Sequence, residues 1–237
     1  MRRWSVVKAN TTVFALLMMA STIAIAPGCD DAEGKPKTAS QPVDVPIAPE
    51  HLVEEGSKIF ATNCIGCHGP AGEGRVGMGP RLASESFLAA ASDEMLLTTI
   101  SKGRMGTTMA AWGSMLPASQ VQALAAYVRS LTPHQPATLD ESPLRGEIAA
   151  GEDLFKSICA ACHGRNGGGY MEASSGTGIG RKVFLDTVSD GFLRYIIKNG
   201  KTQTPMKSFR EDEPMAVANL TDDQIEDVIA FMRSNAW

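Results

Sequence analysis

The sequence predicts an all-α protein built from two tandem domains, and three observations carry that expectation. Blocks of residues recur in the same order in the two halves of the chain. Apolar residues within each copy fall at helical spacing. No alternating apolar run with hairpin turn signals appears, so strands are not expected. The 237 residues are 43% hydrophobic, 20% charged and only 6% aromatic, enough for one large domain or two small ones and unlike a disordered or fibrous chain. The net charge of -4, with no Lys/Arg block, speaks against a nucleic-acid partner.

In chain order the first element is a leader. Arg2, Arg3 and Lys8 are followed by an apolar run from Val13 to Ala26, interrupted at Ser21 and Thr22, and then by Ala26-Pro27-Gly28-Cys29. This is the pattern of an export signal over residues 1–28. The run of fourteen residues is short of the ~20 that a spanning helix needs, which disfavours an uncleaved anchor. The small residues before Cys29 resemble the lipobox of bacterial lipoproteins. That resemblance implies cleavage before Cys29, acylation of its thiol and a membrane-anchored protein in the bacterial periplasm. Ordinary cleavage with a spare thiol left behind is the remaining reading. Removal of Arg2, Arg3 and Lys8 would take the net charge from -4 to -7. Residues 29–49 hold hardly a large apolar side chain, too few to offset the entropy of ordering them, and read as a flexible tether.

The repeat comes next. Gly56-Ser57-Lys58-Ile59-Phe60 before Cys64-Ile65-Gly66-Cys67-His68-Gly69 matches Gly151-Glu152-Asp153-Leu154-Phe155 before Cys159-Ala160-Ala161-Cys162-His163-Gly164 at an offset of 95. Ser92-Asp93 and Gly103 return as Ser189-Asp190 and Gly200, and Met109 with Trp112 returns as Met206 with Phe209, at 97. Leu116 to Ser130 returns as Leu220 to Ser234 at 104, which places an insertion near Arg210 to Ala216. Ordered blocks in register mean a duplicated domain. Pro133, Pro136 and Pro143 among polar residues mark the junction. The expected limits are 50–135 for the first domain, 136–142 for a linker and 143–237 for the second domain.

Within each copy, Ser92 before Asp93-Glu94 opens a helix that stops at Gly103, and Ser189-Asp190 to Gly200 does the same. Val121, Leu124, Ala125 and Val128 share one face of a last helix, as do Ile225, Val228, Ile229 and Met232. Thr221 and Gln224 form a capping-box pair ahead of the second set. About 90 residues with few aromatics make a small core, and an apolar filler would complete it.

The C-x-x-C-H strings identify that filler. Thiols three residues apart on a helical turn can reach two neighbouring vinyl groups on one edge of a porphyrin, while the adjacent imidazole reaches the iron. Cys64, Cys67 and His68, with Cys159, Cys162 and His163, therefore predict two covalently attached haem c groups. A zinc ribbon would need a second C-x-x-C within 15 to 20 residues, yet 91 residues separate Cys67 from Cys159. A thioredoxin-like pair or a structural disulfide leaves His68 and His163 without a role.

The pattern G-x-x-x-F-x-x-x-C-x-x-C-H-G is followed in each copy by a glycine-rich loop, by Met-x-x-aromatic, and by a last helix ending in Tyr127-Val128-Arg129 or Phe231-Met232-Arg233. This resembles class I cytochrome c, and two copies resemble the tandem di-haem class I cytochromes over residues 50–237. The resemblance implies a small helical fold wrapped round each haem, with His68 and His163 as proximal ligands and a methionine as each distal one. Only Met109 and Met206 occupy equivalent places; Met95 and Met232 lie on helix faces and read as core, and Met105 is the runner-up for the first haem. The resemblance also implies that the Pro80 carbonyl orients His68. The second copy has no proline from Gly176 to Gly180, so another carbonyl there must serve.

A thioether in the sixth position leaves no open site for oxygen, peroxide or substrate, so electron transfer is the expected function and catalysis is not. Expected partners are redox proteins: a quinol-oxidising complex, a terminal oxidase or a dehydrogenase. A lipid-anchored haem subunit of a respiratory complex is the alternative. A peroxidase or thiosulfate dehydrogenase is less favoured, because His51 and His134 are the only spare histidines. Finally, Arg181, Lys182, Arg194, Lys198, Lys201, Lys207 and Arg210 against Asp186 and Asp190 suggest a cationic docking face around Met206.

Overall fold

The computed structural model describes residues 48–173 and 175–237. The expected signal peptide, Cys29 and the tether as far as residue 47 lie outside the described residues. Within the described residues every regular element is helical, and the only β-type pairings are the isolated bridges Arg75–Gly79 and Arg210–Leu220.

The first copy contains α1 (Glu50–Asn63), α2 (Ile65–His68), α3 (Glu85–Ala90), α4 (Asp93–Lys102) and α5 (Ala118–Ser130). The second contains α6 (Ile148–Leu154), α7 (Ala160–His163), α8 (Lys182–Leu185), α9 (Asp190–Asn199) and α10 (Asp222–Ser234). Short helices α3 and α8 have no counterpart in the sequence expectation, because four to six residues are too few to display a helical period. Between α6 and α7 the chain widens into a π-turn over Phe155–Cys159, where α1 of the first copy runs on as α-helix.

Each copy is organised by its first and last helices, which pack α1 on α5 and α6 on α10. Glycine makes the crossing possible. A Cβ on Gly56 would sit 2.0 Å from the Ala123 carbonyl oxygen, and one on Gly151 would sit 1.9 Å from that of Asp227. One turn further on, Phe60 and Phe155, each 2% exposed, stack in tilted geometry on Tyr127 and Phe231 at 5.1 and 5.3 Å between centroids. The Gly-x-x-x-Phe spacing thus sets both a close approach and the aromatic that seals it.

Helices α4, α9 and α10 begin where side-chain oxygens can accept from unpaired amides. Ser92 Oγ accepts from the Met95 amide at 3.0 Å, and Ser189 Oγ from that of Phe192 at 3.0 Å. Thr221 and Gln224 close a reciprocal capping box at the start of α10. Gly103 and Gly200, with φ of 65° and 70°, turn the chain out of α4 and α9.

The two copies meet along a seam built by α3, α9 and the loop after α9. Ser86 Oγ donates to the Gly200 carbonyl at 3.0 Å, and the Thr202 amide donates to Ser86 Oγ at 2.9 Å. Ser84 Oγ lies 3.0 Å from Thr202 Oγ1. Phe87 meets Phe192 edge to face, with centroids 6.3 Å apart. Ser84 and Ser86 are buried yet hydrogen-bonded, so the seam carries polar register inside an apolar contact. No helix among the described residues is long and apolar enough to cross a membrane.

Candidate functional site

Helices α2 and α7 present the two C-x-x-C-H strings on single helical turns. Cys64, Cys67, His68, Met109 and Pro80 from the first copy and Cys159, Cys162, His163 and Met206 from the second all line one cavity of about 920 Å³. It runs unbroken from one copy to the other, and Phe87 and Phe192 of the seam stand on its wall.

Each histidine is oriented by a carbonyl. Nδ1 of His68 lies 2.9 Å from the Pro80 carbonyl oxygen, and Nδ1 of His163 lies 2.8 Å from that of Thr177. A carbonyl can only accept, so Nδ1 carries the proton in both rings and Nε2 keeps a lone pair for a metal. Burial lowers the pKa of each ring, and the carbonyl contact opposes it only in part, so both imidazoles stay neutral. In the second copy the Thr177 carbonyl reaches His163 without a proline. Gly176 makes this possible: a Cβ there would sit 2.2 Å from the Cys162 carbonyl oxygen and 2.8 Å from His163 Nδ1.

Burial, with the neighbouring thiol adding to it, pushes the Cys64 and Cys159 thiols up to about 11. Reactive disulfide-exchange thiols have depressed pKa values, and these are raised. Among the described residues Cys64, Cys67, Cys159 and Cys162 are free thiols.

Met109 and Met206 are held by the same loop in both copies. The Arg104 amide donates to the Met109 carbonyl at 2.9 Å, and the Lys201 amide to that of Met206 at 2.8 Å. Thr107 Oγ1 accepts from the Met109 amide at 3.1 Å while donating to the Arg104 carbonyl at 2.7 Å. Thr204 does the same for Met206 and Lys201, at 3.2 and 2.7 Å. Sequence reasoning passed over Thr107 and Thr204, although they recur at the same offset of 97 as the methionines. Met95 and Met232 are buried in the core and also line the cavity, whereas Met105, 84% exposed, does not. His51 and His134 do not line it either; His134 Nδ1 bonds the Thr132 carbonyl at 2.9 Å.

The cationic face expected around Met206 is not assembled. Arg194 turns inward from α9 and pairs with Glu226 of α10, both about nine-tenths buried. Arg181 is buried and Lys201 faces the seam. Lys182, Lys198 and Arg210 pair with Asp186, Asp222 and Asp212. Only Lys207 of the seven remains exposed without an ion pair among the described residues. Counting charges along the chain could not separate a side chain that faces α10 from one that faces solvent.

The donor set fits haem c. Neutral imidazoles with Nε2 free and two thiols one helical turn apart occur twice, in register, on the wall of one roomy and largely apolar cavity. Comparison with known proteins gives the same picture. Residues 51–128 match the family described as cytochrome C oxidase, cbb3-type, subunit III, and residues 148–236 match the cytochrome c family. The chain is 29% identical over 202 residues to the cbb3-type cytochrome c oxidase subunit CcoP of Rubrivivax gelatinosus, covering 84% of this chain and 59% of that protein. It is 34% identical over 155 residues to the corresponding subunit FixP of Azorhizobium caulinodans, covering 61% of this chain and 50% of that protein. The chain therefore spans less than two thirds of the length of these relatives. Among solved structures, a Kuenenia stuttgartiensis reducing HAO-like protein complex aligns at 23% identity with a TM-score of 0.48, over 78% of this chain and 96% of that one.

Proposed function

Because the chain is a di-haem c-type cytochrome, with two cytochrome c domains in tandem and two covalently bound haem c groups, we propose that it is a periplasmic electron carrier with Met109 and Met206 as distal iron ligands. Cys64 and Cys67 hold one haem and Cys159 and Cys162 the other, with His68 and His163 as proximal ligands and the domain limits at 50–135 and 143–237. The Pro80 and Thr177 carbonyls fix the tautomer and plane of each imidazole. Bound haem supplies one-electron exchange between ferrous and ferric iron. The observation that carries this reading is the duplicated methionine loop, whose hydrogen bonds to Thr107 and Thr204 repeat within 0.1 Å. A thioether at the sixth position favours ferrous iron and leaves no place for an oxidisable substrate.

Acylation of Cys29 would hold the protein at a membrane, within reach of a quinol-oxidising complex, a dehydrogenase or a terminal oxidase. A second reading, a haem subunit fixed within a terminal-oxidase complex, is favoured by the match of residues 51–128 and by the oxidase subunits among the relatives. Purification from native membranes in mild detergent separates the two: a free carrier emerges alone, a subunit with its complex.

The ligand assignment is tested with Met109→Ala and Met206→Ala, singly and together. Each single variant is expected to lose half of the near-infrared methionine-to-ferric charge-transfer band and to open one haem to carbon monoxide, with covalent haem staining retained. A full band in the double variant overturns the assignment.

A further inference from the structure

Four cations meet at the seam between the copies, and every one of them reaches across it. Arg81 of the first copy donates to Gln203 Oε1 of the second. The Arg104 guanidinium lies 4.8 Å from the centroid of Phe184. From the second copy, Lys201 Nζ lies 4.6 Å from the centroid of Phe87, and Arg181 Nη1 stands where a Cβ on Gly106 would meet it at 2.3 Å. All four line the cavity shared by the two C-x-x-C-H sites.

Among the described residues none of the four makes an ion pair. Arg181 is only 7% exposed, and its Nε has no hydrogen-bond partner; the same is true of Arg104 Nη1. Their contacts are weak ones for buried charge: Arg181 Nη2 on Met171 Sδ at 2.8 Å with its guanidinium 4.3 Å from the centroid of a Trp237 ring, and Arg104 Nη2 on Thr99 Oγ1 at 3.2 Å. Among the described residues the sole carboxylate on the cavity wall, Glu73, is exposed and accepts from the Ala71 amide. Burial pulls Arg104 down to about 10, and burial together with Arg81 and Arg104 pulls the Lys201 amine down to about 8. An uncompensated buried cation is strongly destabilising, so a cluster of them requires an anion.

The haem groups this cavity would hold are themselves a source of anions. Each haem carries a pair of propionate carboxylates, so two haems would bring four to a cavity whose wall holds these four seam cations and Arg75. We propose that Arg81, Arg104, Arg181 and Lys201 form a single receptor for the carboxylates of both haem groups, shared across the seam, so that each copy supplies cations for the other copy's cofactor. Guanidinium forks suit carboxylates in a buried setting, which accounts for three of the four being arginine. The receptor rests on the two haem sites described above and adds a coupling between them: a charge removed from one copy is felt at both irons.

The test uses the loaded full-length protein. A pyridine haemochrome spectrum first confirms two haems per chain, so that failure of the haem sites and failure of the receptor are told apart. Optical redox titrations then compare Arg104→Gln and Arg181→Gln with Lys102→Gln, an exposed cation of α4. Loss of a shared cation favours the ferric state, so each arginine variant is expected to lower both midpoint potentials, while Lys102→Gln moves neither. Arg181→Lys, which keeps the charge, should recover most of the shift. Redox-difference infrared spectra of protein carrying haem labelled with ¹³C at its carboxylates should show the labelled stretch displaced in both glutamine variants. Unmoved potentials with a lowered melting temperature, a shift confined to one haem, or an unmoved labelled band would each overturn the proposal. Should the arginine variants yield no loaded protein, Arg81→Gln and Lys201→Gln carry the same expectations.

Discussion

Arg233 Nε donates to Asp190 Oδ1 at 2.7 Å, tying the end of α10 to the start of α9. The same guanidinium donates to the Leu185 and Val188 carbonyls. Arg129 repeats the arrangement in the first copy, on Asp93 and on the Leu88 and Ala91 carbonyls. One planar side chain in each copy thus fastens three segments that border the haem cavity. Replacement of Arg233 by Ala strands two carbonyls and a carboxylate in a partly buried setting, and should destabilise the second domain by about 3 kcal/mol. Denaturant unfolding followed at a domain-specific haem signal checks this, and Arg233→Lys should recover only part of the loss because it lacks the fork.

Gly56→Ala and Gly151→Ala are expected to cost more than their single methyl suggests. The new Cβ meets a backbone carbonyl that cannot rotate away, so the helices must part. A loss of at least about 2 kcal/mol is expected, with reduced yield of doubly loaded protein. Gly66→Ala, where the new Cβ would face open space, is the matched control and should leave yield unchanged.

The Arg194–Glu226 pair links stability to pH. Its hydrogen bonds to Arg194 hold the Glu226 carboxyl below its ordinary value. A carboxylate whose folded pKa is depressed contributes stability that is present above its unfolded pKa, about 4.3, and is lost as pH falls toward the folded one. Wild-type melting temperature should therefore drop between about pH 5 and 3, and Glu226→Gln should flatten that part of the drop. At neutral pH Glu226→Gln should cost about 3–5 kcal/mol by leaving Arg194 unpaired, whereas joint replacement by Met and Leu should cost far less.

Cys29→Ala is expected to release the protein from membranes, or leave it unprocessed, without altering its spectrum. Two acyl chains hold a protein at a bilayer and one is marginal. Fractionation checks this directly, and mass spectrometry that finds an unmodified Cys29 in the membrane-bound protein would refute it.

The docking face proposed from charge counting now makes a different prediction. With Lys182, Lys198 and Arg210 paired and Arg194 buried, reversal of Lys207 alone should change the rate with a redox partner at physiological salt by less than about twofold, as a lone exposed charge is screened there beyond about 8 Å.

The duplication made much of this molecule legible in its sequence. Gly56 with Phe60 and Gly151 with Phe155 could be recognised because each pair repeats, and the helix starts at Ser92, Ser189 and Thr221 because capping is local chemistry. The repeat also singles out Met109 and Met206 among 12 methionines as the expected ligands, since only these two occupy equivalent places. The seam followed no such rule. Arg104 and Lys201 recur at the offset of 97, but Arg81 and Arg181 do not match one another, and nothing in the spacing announces that docking of the two copies brings all four together. Burial of Arg194 was hidden for the same reason: it depends on α10, 32 positions away.

Reciprocal bonds between Ser86 and the Gly200–Thr202 loop have a kinetic corollary. Two beads on a slack string would each search separately for a collision partner. Locked by this joint, the pair tumbles as one particle, and a single productive collision brings both haem sites to the partner in a fixed orientation. Because orientation rather than diffusion limits most protein encounters, a second electron needs no second search.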